Sequence, residues 1–205
     1  MKGYSLQKVL LLTCLVPLCL ASCRTAQFEA NWSNDPSTWK EHLLNGVQVR
    51  VPSELPRLQM NPDAWWFVIK AKQVDNFSEG VRQAIQVSVR RQSTLPPEEV
   101  IKQRAHSIEE LGGRVRVVES PVKGMQYFSP NGYEGKITKG DGMKGTVING
   151  TGFGYFFISS TGALVNVAMY TTSHAPVNYA DWRPETEIFP EQERKLVEAV
   201  AARVK

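Results

Sequence analysis

Alternating apolar and polar positions predict a series of β-strands through the middle of the chain. Residues 81–91 alternate at a period of two, which places their apolar side chains on one face of a half-buried strand. Similar runs predict strands at residues 65–72, 114–119, 125–128, 133–138, 145–148, 152–159 and 163–171. The last two runs are apolar on both faces, so we expect them at the centre of a sheet that is covered on both sides.

Glycine-containing dipeptides predict the turns that join several of these strands. An Asn-Gly pair at positions 45–46 lies inside residues 43–51, where β-forming residues flank it and predict a hairpin. An Asn-Gly pair at 149–150 and a Thr-Gly pair at 161–162 lie between strands predicted further along. Because such residues accept the positive φ angles of tight turns, we expect each pair to join two neighbouring strands.

Two segments show the three-and-four spacing of apolar residues that is typical of an amphipathic helix. The first opens at the Pro-Pro-Glu-Glu of positions 96–99 and stops at a Gly-Gly pair, and its apolar residues are Val100, Ile101, Ala105, Ile108 and Leu111. The second covers residues 191–204, with a stripe of Leu196, Val197, Val200 and Val204. A shorter helical turn is predicted at residues 35–39, where Pro36 would take the first helical position.

These elements predict an α/β (α+β) fold, in which a central and a C-terminal helix pack on an antiparallel β-sheet. Residues 41–205 would form a single globular domain.

The first 22 residues have the pattern of an export signal. Lys2 and Lys8 precede an apolar run at residues 9–20. This run is shorter than the roughly 20 residues of a membrane-spanning helix. The run ends in Leu-Ala-Ser-Cys at positions 20–23, which resembles the lipobox of bacterial lipoproteins. The resemblance implies cleavage after residue 22 and lipidation of Cys23. An ordinary signal peptide cut near Ala21 is the alternative.

All three cysteines lie at or before position 23, which agrees with the lipobox interpretation. Cys14 and Cys19 follow Thr13 and Leu18 rather than small residues, so only Cys23 fits the motif. A lone thiol is unusual in an oxidising compartment unless it is modified. We therefore expect no disulfide within the mature chain, and acyl chains whose buried methylenes each contribute about 0.8 kcal/mol to membrane binding.

The lipobox resemblance makes the lipid bilayer a partner through the acylated Cys23. Residues 23–40 would be the lipidated Cys and a tether, because positions 24–36 are polar and rich in turn residues. Arg24 stands where an Asp retains lipoproteins at the inner membrane of some bacteria. We therefore expect a lipid-anchored protein of the bacterial cell envelope, at the outer membrane.

Composition changes the charge expected of the mature chain. Removal of residues 1–22 leaves 183 of the 205 residues, enough for one domain, with 22 basic and 20 acidic side chains. The net charge of +2 gives little reason to expect nucleic acid as a partner. An envelope protein or an anionic envelope component remains compatible with it.

The order of predicted elements resembles the family of the photosystem II extrinsic subunit PsbP and its Ran-binding relatives. The resemblance covers roughly residues 47–205 and includes the Val-Arg-Val-Pro-Ser segment at positions 49–53. It implies a three-layer α/β/α sandwich around an antiparallel sheet. It also implies an adaptor, assembly or binding role, and it carries over no catalytic residues.

Motifs of enzyme chemistry are incomplete in this sequence. The G-x-G-x-x-G match at residues 140–145 precedes a predicted hairpin rather than a helix, so a glycine-rich turn explains it better than nucleotide binding. His42, His106 and His174 are far apart in sequence, and the run Ser159-Ser160-Thr161-Gly162 lacks the first glycine of a nucleophile elbow. We expect no catalytic residues, no metal and no cofactor, and a turn role for a hydroxyl of this run.

Two groups of residues are candidates for a binding surface. Arg82, Arg90, Arg91, Arg114 and Arg116 come from strands predicted to be neighbours and would form an anionic-ligand patch if they share a face. The alternative is that these arginines are scattered and solvated.

The second group lies in the segment 174–189, which contains Tyr179, Trp182, Arg183 and Phe189. Aromatic and arginine side chains often anchor interfaces. The alternative for this segment is a cap on the edge of the sheet.

Two functions from different classes follow. The first is a non-catalytic envelope lipoprotein that binds a partner through the segment or the basic patch. The second is an envelope hydrolase with a non-standard site, which would need Ser173, His174 and Asp181 to converge in a cleft.

Overall fold

The structure, a computed structural model, describes residues 28–71, 81–90, 94–110, 112–129, 135–137, 146–148, 150–172 and 189–205. Its strands are β1 (Phe28–Glu29), β2 (Lys40–Leu44), β3 (Val47–Val51), β4 (Arg57–Asn61), β5 (Ala64–Ala71), β6 (Val81–Arg90), β7 (Arg114–Val118), β8 (Gly124–Ser129), β9 (Gly135–Ile137), β10 (Thr146–Ile148), β11 (Gly150–Ile158) and β12 (Leu164–Thr172). Its helices are α1 (Pro97–Glu110) and α2 (Glu191–Ala201).

One antiparallel sheet of eight strands organises the described residues. Its order is β1-β5-β6-β12-β11-β8-β7, and β4 also pairs with β5. Two further two-stranded sheets are formed by β2 with β3 and by β9 with β10. The predicted α+β class, a mostly antiparallel sheet with two helices, is confirmed.

The two most apolar strands lie inside the sheet, as their pattern predicts. β12 lies between β6 and β11, and β11 lies between β12 and β8. α1 buries Ile108 in a cluster with Tyr127, Phe156, Ala168 and Tyr170. α2 buries Leu196, Val197 and Val200 in a second cluster, which is the larger one and includes Phe153, Tyr155, Val165, Val167 and Met169. Residues that alternate along β11 and β12 therefore pack in different clusters, because successive strand side chains point to opposite faces.

The hairpin predicted at positions 43–51 is present as β2 and β3. Asn45 and Gly46 have φ angles of 50° and 84° at its turn, as a two-residue hairpin loop requires. β3 alternates buried and exposed residues and places its three valines in the larger cluster. Gln48 exchanges two backbone hydrogen bonds with Lys205, at 2.9 and 3.0 Å, which holds the hairpin beside the segment after α2.

The tether expected over residues 23–40 is too long. The chain joins the main sheet at Phe28, which pairs with Ala71, and Ala30 and Trp39 are buried in the larger cluster. Asp35 caps the predicted helical turn, which is a 3-10 helix at Pro36–Thr38. The prediction was wrong because these apolar residues pack one at a time and produce no period. Residues 1–27, including Cys23, lie outside the described residues.

Turn and boundary predictions had mixed outcomes. The turn at 161–162 joins β11 to β12 as predicted. The hairpin at 149–150 is wrong, because β10 pairs with β9 and β11 pairs with β12 and β8. α1 matches its predicted span, whereas α2 ends at Ala201 instead of continuing to residue 204. Within the described ranges, no helix is long and apolar enough to cross a membrane.

Candidate functional site

A groove of about 360 Å³ lies between α1 and the turn that joins β11 to β12. We call it the α1 groove. The described residues that line it are Arg90, Leu95, Pro97, Val100, Gln103, Arg104, Ser107, Ile158, Gly162 and Leu164. Its size is at the lower end of the range of ligand pockets.

One face of α1 forms one wall of the α1 groove. The lining residues of α1 recur at intervals of one, three or four positions, so they share a face of the helix beside the stripe that packs on the sheet. The Ser107 hydroxyl donates to the backbone carbonyl of Gln103 at 2.9 Å. The wall is therefore a regular helix surface rather than a loop.

A tight turn forms the opposite wall. Gly162 has a φ angle of 81°, a conformation that glycine adopts without steric cost. The Ser159 hydroxyl accepts a hydrogen bond from the backbone N–H of Ala163 at 3.1 Å and lies 2.8 Å from the Thr161 hydroxyl. The turn role predicted for a hydroxyl of the run 159–162 is confirmed, and the hydroxyl is that of Ser159.

Two arginines give the α1 groove its charge. Arg90 ends β6, opposite Leu164 of β12. Arg104 projects from α1, with its guanidinium carbon 6.0 Å from the ring centroid of Tyr127. The described lining residues include no Asp or Glu, so the two positive charges lack a compensating carboxylate within the lining.

A pair of buried tyrosines lies beneath α1. The hydroxyls of Tyr127 and Tyr170 are 3.0 Å apart. Burial raises the pKa of both hydroxyls, although the guanidinium of Arg104 acts to lower it. Both side chains therefore stay neutral near pH 7 and leave the charge of Arg104 unneutralised.

The predicted patch of arginines divides between two places. Arg114 and Arg116 both lie on β7, where they pair with Phe128 and Gln126. β12, β11 and β8 separate β7 from β6, which carries Arg90. The expectation that Arg90 shares one patch with Arg114 and Arg116 is wrong, because β6 and β7 are not sheet neighbours.

The two arginines of β7 contact neighbouring side chains. The guanidinium carbon of Arg114 is 5.5 Å from the ring centroid of Phe128, and Arg116 donates through Nε to Oε1 of Gln126. They line a smaller hollow of about 270 Å³ at the edge of the sheet, together with Phe153.

Several predicted residues cannot be placed. Outside the described residues lie the side chain of Arg82, Arg91, residues 174–188 with Tyr179, Trp182 and Arg183, the Gly-rich motif at 140–145, and the hydrolase candidates Ser173, His174 and Asp181. Phe189, which ends the candidate segment, is fully buried in the core and does not contribute to an exposed surface.

A polar network that the sequence pattern did not predict joins the sheet to α2. Gln126 donates through Nε2 to the hydroxyl of Tyr155 at 2.8 Å, and this hydroxyl donates to Oε2 of Glu198 at 3.1 Å. Burial, and then the adjacent Glu198 carboxylate, raise the pKa of Tyr155 to about 12. The signal in the sequence is Gln126, a polar residue inside the otherwise apolar run of residues 125–128.

A buried carboxylate lies in the first turn of α2. Glu193 is 8% exposed, and its Oε2 accepts a hydrogen bond from Nε2 of Gln83 at 2.7 Å. Burial raises the pKa of Glu193, outweighing the hydrogen bond from Gln83 and the charge of Lys70. Its cationic neighbour Lys70 forms an ion pair with Glu29 at 3.1 Å.

The two described histidines contact aromatic rings or a carboxylate of the fold. His42 packs edge-on against Trp65 and Phe67, with ring centroids 5.8 and 5.1 Å away, and burial lowers its pKa. His106 forms an exposed pair with Glu110 at 3.1 Å. Among the described residues, no group of three or more His, Cys, Asp or Glu side chains could hold a metal ion.

Comparisons with protein-family models, with curated proteins and with solved structures found no match.

Proposed function

We propose that this chain is a bacterial envelope lipoprotein whose folded domain binds a partner and is not catalytic. The observation that carries the binding role is the α1 groove, where Arg90 and Arg104 stand beside apolar side chains without a carboxylate in the described lining. Such a combination of apolar surface and a few oriented polar groups is typical of binding sites.

Anchoring through Cys23 is the second part of the proposal. The Leu-Ala-Ser-Cys motif supports it, and Phe28 follows Cys23 by only five positions. A signal peptide cut before Cys23 would leave the whole first strand in the mature chain. Arg24 after the Cys supports an outer-membrane location.

A three-layer α/β/α sandwich related to the PsbP family is the proposed architecture. Its support is that α1 and α2 pack in clusters built from alternating residues of β11 and β12. Adaptor and assembly roles in that family are consistent with a binding domain held close to a membrane.

Cysteine variants test the anchor. Cells that express the full chain are fed an alkyne-bearing fatty acid, and the label on the purified protein is measured. We expect Cys23→Ser to remove the label and release the protein from membranes, because the acceptor thiol is gone. Cys14→Ser and Cys19→Ser are matched controls and should keep both properties. Full labelling of Cys23→Ser would overturn the anchor.

In-cell crosslinking tests the binding role. A photo-crosslinking residue replaces Gln103, which is exposed and lines the α1 groove, and captured species are identified by mass spectrometry. We expect one envelope protein at near-stoichiometric yield, which is lost when a second substitution, Arg90→Glu, is added. Replacement of Lys102, which is outside the described lining, is the positional control. Equal capture from both positions would contradict a site at the groove.

A further inference from the structure

We propose that the α1 groove binds an acidic and partly apolar peptide segment of a partner protein. A carboxylate of the segment contacts Arg90 and Arg104, and an adjacent apolar side chain packs against Val100 and Leu164. This inference deepens the proposed binding function and rests on it.

Charge complementarity favours an acidic ligand. The described residues from the end of β6 to the start of α1 that line the groove are Arg90, Leu95 and Pro97, and the opposite wall reads Ile-Ser-Ser-Thr-Gly-Ala-Leu at positions 158–164. Neither set contains an acid, and the groove face of α1 adds Arg104 and no acid. The glutamates of α1 occupy other positions of the helix. Carboxylate and phosphate are the anionic groups that arginine side chains bind most strongly.

Apolar side chains in the same groove restrict the ligand further. Leu95 is 37% exposed, and Val100, Ile158 and Leu164 are each partly exposed. A free inorganic anion would leave this surface in water, whereas an apolar side chain beside a carboxylate would cover it. The described lining contains no aromatic residue on which a nucleic-acid base could stack.

The location of the groove favours a protein partner over the anchoring bilayer. Phe28 pairs with Ala71, and Ala71 pairs with Val81 at the start of β6, whereas Arg90 ends that strand. The nine steps from residue 81 to residue 90 span about 30 Å. Five residues from Cys23 to Phe28 reach at most about 17 Å. The α1 groove is therefore at the end of the sheet farthest from the proposed anchor.

Both arginines are held by regular structure. Arg90 is fixed at the backbone by pairing with Leu164, and Arg104 lies near the Tyr127 ring on a helix packed against the sheet. A site that is already ordered loses less conformational entropy when a ligand binds. We therefore expect binding without a large rearrangement of the domain.

Peptide binding to the full mature lipoprotein in detergent tests the inference. The probe is a fluorescein-labelled eight-residue peptide of alternating Asp and Leu, followed by fluorescence anisotropy. One matched peptide carries Asn for Asp, and another carries Ser for Leu. We expect the Asp-Leu peptide to bind at least about tenfold more tightly than either, which corresponds to about 1.4 kcal/mol. Equal affinity for the Asn-Leu peptide would overturn the acidic ligand.

Arginine variants locate the bound peptide. We expect Arg90→Gln to weaken the Asp-Leu peptide at least fivefold, whereas Lys102→Gln, which removes the same charge outside the described lining, leaves affinity within twofold. Arg104→Gln should act like Arg90→Gln, and thermal unfolding reports whether its contact with Tyr127 is needed for folding. Because Arg90 is exposed, its variant keeps the test valid if Arg104→Gln unfolds.

A vesicle experiment distinguishes the peptide from a lipid headgroup as the ligand of the α1 groove. Phosphatidylglycerol vesicles that bind the protein through Arg90 while the Asp-Leu peptide does not would overturn the peptide and favour a lipid headgroup. Failure of the peptide with acylation at Cys23 intact would overturn this inference alone. Full labelling of Cys23→Ser in the cysteine experiment would overturn the anchor and the argument from groove position, while peptide binding could still be measured directly.

Discussion

Buried polar side chains are the residues whose replacement has the most specific consequences. Tyr155 joins Gln126 to Glu198 through one hydroxyl. Gln83 and Glu193 form a second contact of this kind between the sheet and α2. A buried donor that loses its acceptor costs more than the hydrogen bond itself contributes.

Removal of the Tyr155 hydroxyl should destabilise the domain. In Tyr155→Phe the amide of Gln126 loses its acceptor at a buried position, so we expect the free energy of unfolding to fall by about 1–3 kcal/mol in urea titrations. The double variant Tyr155→Phe with Gln126→Leu removes the stranded amide and should lose less than the two single changes combined. A stability for Tyr155→Phe equal to that of the unmodified protein would show that the network is not intact in solution.

Glu193 should make stability fall as pH rises. Its pKa in the folded state is raised above the ordinary value of 4.5. The fold therefore favours the protonated form, and this contribution is present below pH 4.5 and is lost as pH rises through the folded-state pKa. Glu193→Gln should consequently raise the melting temperature more at pH 7 than at pH 4.

Glu191→Gln is the matched control for the pH experiment. Lys195, 2.7 Å away, lowers the pKa of the exposed Glu191, so its stabilising contribution is present at neutral pH and is lost on acidification. We expect Glu191→Gln to lower the melting temperature at pH 7 and to have less effect at pH 4. The same pH response in both variants would refute the assignment to burial of Glu193.

Among the elements, the pair β11 and β12 leaves no room for a side chain at Gly154. A Cβ at this position would lie 2.3 Å from the backbone oxygen of Val167 and 2.5 Å from the Cα of Ala168. Neither atom belongs to a flexible side chain. The central pair of the sheet therefore requires glycine here.

Gly154→Ala should be strongly destabilising for this reason. We expect a loss of about 2–3 kcal/mol or more, the upper range for overpacking in a core, measured by urea unfolding. Ala168→Gly should not rescue the variant, because the Val167 backbone oxygen remains in the way. A loss below 1 kcal/mol would indicate that the two strands separate easily at this point.

Elements with strong periodicity were predictable from sequence, and their partners were not. α1, α2, β6 and the hairpin of β2 and β3 follow from apolar spacing and turn residues. β1 and β4 were missed because each contributes few buried side chains. The pairing of β10 with β9 was missed because pairing depends on tertiary packing, which alternation within one segment does not encode.

The candidate site was only partly predictable. Arg90 was singled out from sequence, but Arg104 looked like any charge on a helix until α1 was placed beside the turn at Gly162. The groove lies between segments about 60 residues apart in sequence, and no local sequence pattern predicts that they are in contact. Arg114 and Arg116 were grouped with Arg90 because neighbouring strands were assumed from neighbouring positions in sequence.

For the whole molecule, the segment before β2 is part of the fold. Phe28 and Trp32 pack against the core in which Ala30 and Trp39 are buried, and the indole N–H of Trp39 donates to the backbone oxygen of Ser33 at 2.9 Å. A domain that starts at Lys40 would expose the surface these residues cover.

Truncation tests this view of the domain boundary. We expect a chain that starts at Phe28 to unfold at the same urea concentration as one that starts at Arg24. Removal of residues 28–39 should cost about 3 kcal/mol or more, comparable with the truncation of a large buried aromatic side chain. Equal stability of all three chains would restore the longer tether that the sequence suggested.

The short pairing of β1 with β5 has a mechanical consequence. Among the described residues, two residues of β1 pair with β5. If the chain is anchored at Cys23 and binds a ligand in the α1 groove, as proposed, tension between the two would load this short pairing before the longer strand pairs. Detachment of residues 28–39 would add about 40 Å of extended chain. The protein would then lengthen under load while its central sheet and groove stay intact, which would keep a captured partner bound as the envelope moves.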